Sequence, residues 1–137
     1  MRFLKSLMVM LIIGCPTAWA ATGQATLKGT ASDSSISGTA TLTDTAEGLK
    51  IIVQVANVPP GQHGLHIHQL GRCADSGNAA GGHYNPAGVQ HGFLPKDGLT
   101  AAHAGDFGNL EVGADGAGTL TLTLPHLSLN TGPYPVA

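Results

Sequence analysis

The chain has 137 residues, six basic against eight acidic side chains, and only 10% charged residues. That length holds one domain at most, low charge excludes a disordered solvating chain, and the acid–base balance excludes a basic nucleic-acid binder. Twenty glycines, few aromatics and abundant Ala, Val, Leu, Ile and Thr suit short strands and turns. Histidine is the anomaly: six of the seven lie between His63 and His103.

The N-terminus reads as an export signal. Arg2 and Lys5 form a positive start, Leu7 to Gly14 a short apolar run, and Ala18-Trp19-Ala20 an A-x-A cleavage site. Residues 1–20 are therefore expected to be removed, leaving a domain over 21–137 in the periplasm or outside the cell. A retained N-terminal helix is the weaker alternative. Ile12-Ile13-Gly14-Cys15 also resembles a bacterial lipobox, so lipid anchoring at Cys15 is a minor alternative. No later segment is apolar enough to span a membrane. After cleavage, Lys28, Lys50, Arg72 and Lys96 face all eight acids, a net charge of −4, and Cys73 is the one remaining cysteine. An odd cysteine in an exported protein is a flag: its partner is missing, intermolecular, or absent from the chain as given.

Period-2 patterning follows. Ile36, Ala40 and Leu42 alternate with Ser and Thr; Leu49, Ile51, Val53 and Val55 share one face; Leu120, Leu122 and Leu124 alternate with threonines. Each pattern puts one face on a core and the other in water. Six strands are expected, over 24–28, 35–44, 49–58, 61–69, 109–113 and 117–124. Pro59-Pro60-Gly61 turns the chain into the fourth, and Asp115-Gly116 joins the last two. The fold class is all-β, a sandwich or Greek-key barrel.

Residues 70–108 show neither period and are rich in Gly, Ala, Asn and Pro. A loop this long in a compact domain is either functional or disordered, and metal ligation is the obvious cross-link that would keep it ordered. His66 and His68, two apart on a strand, point to one face while Leu65 and Ile67 point to the core. Alone, an H-x-H pair is as often two surface histidines as a ligand pair. The adjoining loop adds His83, His91, His103 and Asp106. Imidazoles suit copper, zinc or nickel, and three histidines with one carboxylate fit a closed four-coordinate zinc site.

Gly64-Leu-His-Ile-His68, Ala80-Gly-Gly-His-Tyr-Asn-Pro86 and His103-Ala-Gly-Asp-Phe-Gly-Asn109 resemble the signature segments of exported bacterial copper/zinc superoxide dismutases. Gly113-Ala-Asp-Gly116 continues the likeness, which covers most of residues 21–137. The resemblance implies a Greek-key barrel with copper and zinc as cofactors, superoxide as substrate, and a homodimer as an open option. It implies copper ligands at His66, His68 and His83, and zinc ligands at His83, His91, His103 and Asp106. His83, bridging the metals, is the implied catalytic residue. His63 is expected to make a structural hydrogen bond, and Cys73 matches the loop cysteine of the family's disulfide.

The sequence also departs from the family. After the strand ending near Leu124, a G-R-x-x-V-x-H segment carrying a fourth copper ligand is absent, with the substrate-attracting arginine and second cysteine beyond it. The chain is therefore expected to be cut short at its C-terminus, lacking its last strands and keeping open sheet edges. Arg72 and Lys96 read as solvated surface cations. His126 could stand in as a copper ligand, but reads more simply as a loop histidine. Besides a dismutase, two functions are weighed: a non-catalytic exported copper/zinc-binding protein, and a zinc hydrolase. The hydrolase is disfavoured because a His3Asp set leaves no position for water.

Overall fold

Residues 48–56 alternate apolar side chains with Lys and Gln. A strand forms there with Leu49, Ile51 and Val53 buried on its inner face. The structure, a computed structural model, describes residues 20–137. The expected export signal, Cys15 included, lies outside the described residues but for Ala20. Six main strands follow the sequence pattern: β1 (Thr22–Lys28), β2 (Ser37–Thr45), β3 (Gly48–Ala56), β4 (Gly61–His66), β5 (Asp106–Val112) and β6 (Gly118–Leu124). Two further two-residue strands, β7 (Leu127–Ser128) and β8 (Tyr134–Pro135), pair in parallel.

The main sheet is antiparallel in the order β1-β2-β3-β6-β5-β4. β4, β5 and β6 are successive neighbours and β3 returns beside β6, which is a Greek key. β5 and β6 share a single register pair, Val112 with Gly118, so the sheet bends sharply there. The expected Asp115-Gly116 turn sits at that bend, with Gly116 at φ 77° and its N–H donating to Gly113 O at 3.0 Å. A left-handed φ is cheap for glycine, and the turn depends on it.

The bend folds the inner faces onto one another. Leu49, Ile51, Val53 and Leu124 pack with Phe107, Leu110 and Val112, and Leu127 and Leu129 cover one end. Each such burial contributes about 1.5–3 kcal/mol of transfer free energy. Asp44 Oδ1 accepts the Leu129 N–H at 2.8 Å and ties that end to β2. β1 and β4 stand at the two ends of the strand order. Between them lies an apolar cavity of about 300 Å³ whose walls include Leu27, Leu42, Ile51, Leu65, Ile67 and Phe107. Among the described residues, no helix is long and apolar enough to cross a membrane.

Two boundaries differ from expectation, and both differences matter for the site. β4 ends at His66, not near residue 69, and β5 begins at Asp106, not residue 109. The register between β4 and β5 shifts after Gly64, and His66 then faces Asp106. Beyond it the backbone pairs with the long loop instead of a strand. Ile67 N–H donates to Gly105 O at 3.0 Å, Tyr84 N–H donates to Ile67 O at 2.8 Å, and His68 bridges to His83. The aperiodic 70–108 stretch contains a 3-10 segment, Asp75–Ala80, and one short helix, α1 (Leu94–Asp97).

Candidate metal centre

Backbone contacts bring the loop to the strand before any side chain is considered. Gly105 packs so closely that a Cβ there would lie 2.3 Å from Ile67 O. Its N–H donates to Tyr84 O at 2.9 Å, so Ile67, Tyr84 and Gly105 lock three segments together. His66 and His68 flank the first, His83 adjoins the second, and His103 and Asp106 flank the third.

The side chains converge on Asp106, which is fully buried. His83 Nδ1–H donates to its Oδ1 at 2.7 Å. His91 Nδ1 lies 2.8 Å and His103 Nδ1 3.3 Å from Oδ2, while His66 Nδ1 lies 3.4 Å from Oδ1. Backbone N–H groups of Gly92, at 3.0 Å, and His103, at 3.3 Å, also donate to Oδ2. Burial alone would raise the Asp106 pKa. The Gly92 amide, the His83 hydrogen bond and the His103 and His91 charges outweigh it, so the carboxyl titrates below its ordinary value. His66 is shifted down too, first by burial and then by the neighbouring His83, against the pull of Asp106.

One ligand atom from each of His83, His91, His103 and Asp106 lies within 4.8 Å of the other three. The buried Nδ1 atoms of His66 and His103 have no hydrogen-bond partner. Unpaired buried ring nitrogens beside a carboxylate are what a cation would satisfy, and the donor set suits zinc. These are the four residues that the resemblance implies as zinc ligands, and the structure brings them together.

The expected copper set is less gathered. His66 stacks on His83 with centroids 3.9 Å apart, and His68 meets His83 edge-on at 5.2 Å. His68 Nδ1–H donates to Gly81 O at 2.9 Å, which fixes the tautomer and leaves Nε2 as the lone-pair nitrogen. These three do not form a donor group as tight as the zinc set among the described residues.

The remaining singled-out residues have other places. His63 Nε2–H donates to Pro59 O at 2.7 Å, the structural role expected. His126 is exposed at φ 71° in the turn between β6 and β7, lining a separate cleft beside α1 with Lys96. Cys73 is exposed and free, and Arg72 is exposed. Sequence reasoning missed the Gly92 and His103 amides, because backbone donors leave no residue-type signal. It also missed Asn85, which braces the loop by donating to Val89 O at 2.8 Å and accepting Val89 N–H at 3.1 Å.

An antiparallel Greek-key sheet with histidines from a long loop gathered on one buried carboxylate defines a metal-binding β protein. The family model for copper/zinc superoxide dismutase matches residues 36–136. The chain belongs to the copper/zinc superoxide dismutase family, which implies copper and zinc as its metals. A Brassica juncea protein, "Superoxide dismutase [Cu-Zn] 2", is 44% identical over 86 residues, covering 63% of this chain and 49% of that protein. The chain thus spans about half the length over which that curated relative extends. A SOD-like protein from Bacillus subtilis matches in three dimensions with a TM-score of 0.68 and 33% identity, over 82% of this chain and 74% of the other.

Proposed function

We propose that the protein is an exported superoxide dismutase, converting two superoxide ions and two protons to dioxygen and hydrogen peroxide. In this reading zinc is held by His83, His91, His103 and Asp106, and copper by His66, His68 and His83. One observation carries it. The His83 ring is in contact with four other imidazoles, His66, His68, His91 and His103, at centroid distances of 3.9 to 5.7 Å. His66 and His68 belong to the expected copper set and His91 and His103 to the expected zinc set, which supports His83 as the shared ligand.

When bound, copper supplies the one-electron exchange that dismutation needs, and zinc, which has no redox chemistry, supplies fixed charge and geometry. The chain's own residues do the rest. Asp106 and the Gly92 amide orient the loop, and in the metal-free chain the His83 Nδ1–H bond to Asp106 already holds the ring in the place where both groups would bind zinc. Nε2 of His83 is then the nitrogen that can hold a proton and give it up to product. The Gly81 carbonyl keeps His68 in the tautomer that presents Nε2.

Replacing His83 with Ala should lower both copper and zinc content, whereas His68→Ala should lower copper alone. A His83→Ala protein that keeps one of each metal per chain would refute the shared ligand. A second reading is favoured by the looser gathering of His66, His68 and His83: a non-catalytic exported protein that holds zinc firmly and copper weakly. The two separate on superoxide turnover by the metal-loaded protein.

A further inference from the structure

Lys96 and His126 take no part in the metal centre, and the fold brings both to one cleft. It lies between α1 and the end of β6, encloses about 270 Å³, and shares no lining residue with the histidine cluster. Leu94, Leu99 and Leu124 form apolar walls together with Pro95 and Pro125. Leu94 and Leu124 are anchored in the core, which gives the cleft a firm floor. At its mouth stand three exposed polar side chains, Lys96, Thr123 and His126.

The charge at that mouth runs against the rest of the chain. Residues 21–137 carry four basic side chains against eight acidic ones. Two of the four meet here: Lys96 lines the cleft, and Lys50 lies directly opposite Thr123 across the β3–β6 pair. Opposed strand residues set their Cβ atoms about 5 Å apart on one face, so the Lys50 stem reaches the same mouth. Among the described residues every ion pair centres on Asp106, so neither ammonium is taken up by a carboxylate. Of the acids on these elements, Asp97 is turned to the Phe93 N–H, which its Oδ2 accepts at 2.8 Å, and Glu47 sits in the turn before β3. His126 completes the mouth at a backbone cost. Its φ of 71° lies in the left-handed region, which glycine would hold more cheaply. Strain of this kind collects at functional positions.

We propose that this cleft is a binding site for a small carboxylate with an apolar body, such as a medium-chain fatty acid. The leucine and proline walls cover the hydrocarbon, and Lys96, Lys50 and His126 meet the carboxylate at the mouth. Small-ligand pockets begin at about 300 Å³, so the apolar body is short. A bare anion such as phosphate would leave the apolar walls unused. A neutral alcohol would leave the ammonium groups unmet. The site stands apart from the metal centre and does not depend on the dismutase reading.

The test is titration of octanoate into the protein loaded with zinc and copper(I), followed through backbone amide NMR shifts. Comparison titrations use 1-octanol, acetate and inorganic phosphate. Octanoate should saturate, moving the Gly98, Leu99, Thr123 and His126 amides and leaving those of Gly81 and Gly92 beside the metals in place. Octanol should bind about tenfold more weakly, the scale of one charge-assisted hydrogen bond, and acetate and phosphate should give no saturable shift. The double substitution Lys96→Ala with His126→Gly should weaken octanoate about tenfold and leave octanol binding unchanged. Glycine suits the left-handed backbone at 126, so this variant keeps the fold. Octanoate shifts centred on the metal loop would make it a metal ligand and overturn the proposal. So would equal affinity for octanoate and octanol, no saturable octanoate binding, or octanoate affinity untouched by the double substitution.

Discussion

Asp106→Ala removes the acceptor on which the loop converges. The buried carboxylate takes N–H groups from Gly92 at 3.0 Å, His103 at 3.3 Å and the His83 ring at 2.7 Å. Truncation leaves those donors without an acceptor, at about 1–3 kcal/mol for each one that water cannot reach. Burying a carboxylate has its own cost, which truncation relieves. In the folded state the Gly92 and His83 hydrogen bonds together with the His103 and His91 charges outweigh that cost, which holds the Asp106 carboxyl below its ordinary value. His91, being 60% exposed, rehydrates and adds little. The metal-free variant should therefore lose about 2–5 kcal/mol of a total near 5–15 kcal/mol. With a urea slope of about 1–3 kcal/mol per molar, the unfolding midpoint should fall by roughly 1–3 M. Zinc content should fall as well. A metal-free Asp106→Ala protein that unfolds at the wild-type urea concentration would refute the view that this carboxylate organises the loop.

Acidification should destabilise the metal-free protein. The Asp106 contribution is fully present above the ordinary carboxylate range and is lost as pH falls through its lowered pKa; His66, also shifted down, favours folding only while neutral. Urea midpoints should drop as pH is taken from about 7 to about 3, and a flat profile would contradict this. Leu49→Ala, at a fully buried position facing Leu124, should cost about 2–5 kcal/mol by urea unfolding and leave zinc per folded chain unchanged. Stripping metal with a chelator should lower the thermal midpoint, since a ligand present at a thousand times its dissociation constant adds about 4 kcal/mol. Restoring zinc should restore the midpoint.

How much of this was legible in the sequence varies with the physics of each part. The strands could be read because Leu49, Ile51 and Val53, or Leu120, Leu122 and Leu124, repeat every second residue, and burial enforces that period. The cluster of His83, His91, His103 and Asp106 could be read because histidine and carboxylate have few other reasons to gather on an apolar scaffold. Three things were hidden. The end of β4 at His66 depends on a register shift and on loop backbone that pairs with Ile67, and neither has a composition signal. The Gly92 and His103 amides are backbone groups, which every residue but proline carries. The position of His66 against His83 and Asp106 depends on the space beside Gly64 and the cavity behind the ring, and no linear pattern encodes that space.

The most direct test follows superoxide decay spectroscopically, in the presence of protein loaded with copper and zinc. The expected result is the removal of many superoxide ions per copper, lost in His83→Ala. Decay no faster than the spontaneous rate, with both metals demonstrably bound, would contradict the dismutase reading and leave a metal-binding protein in its place.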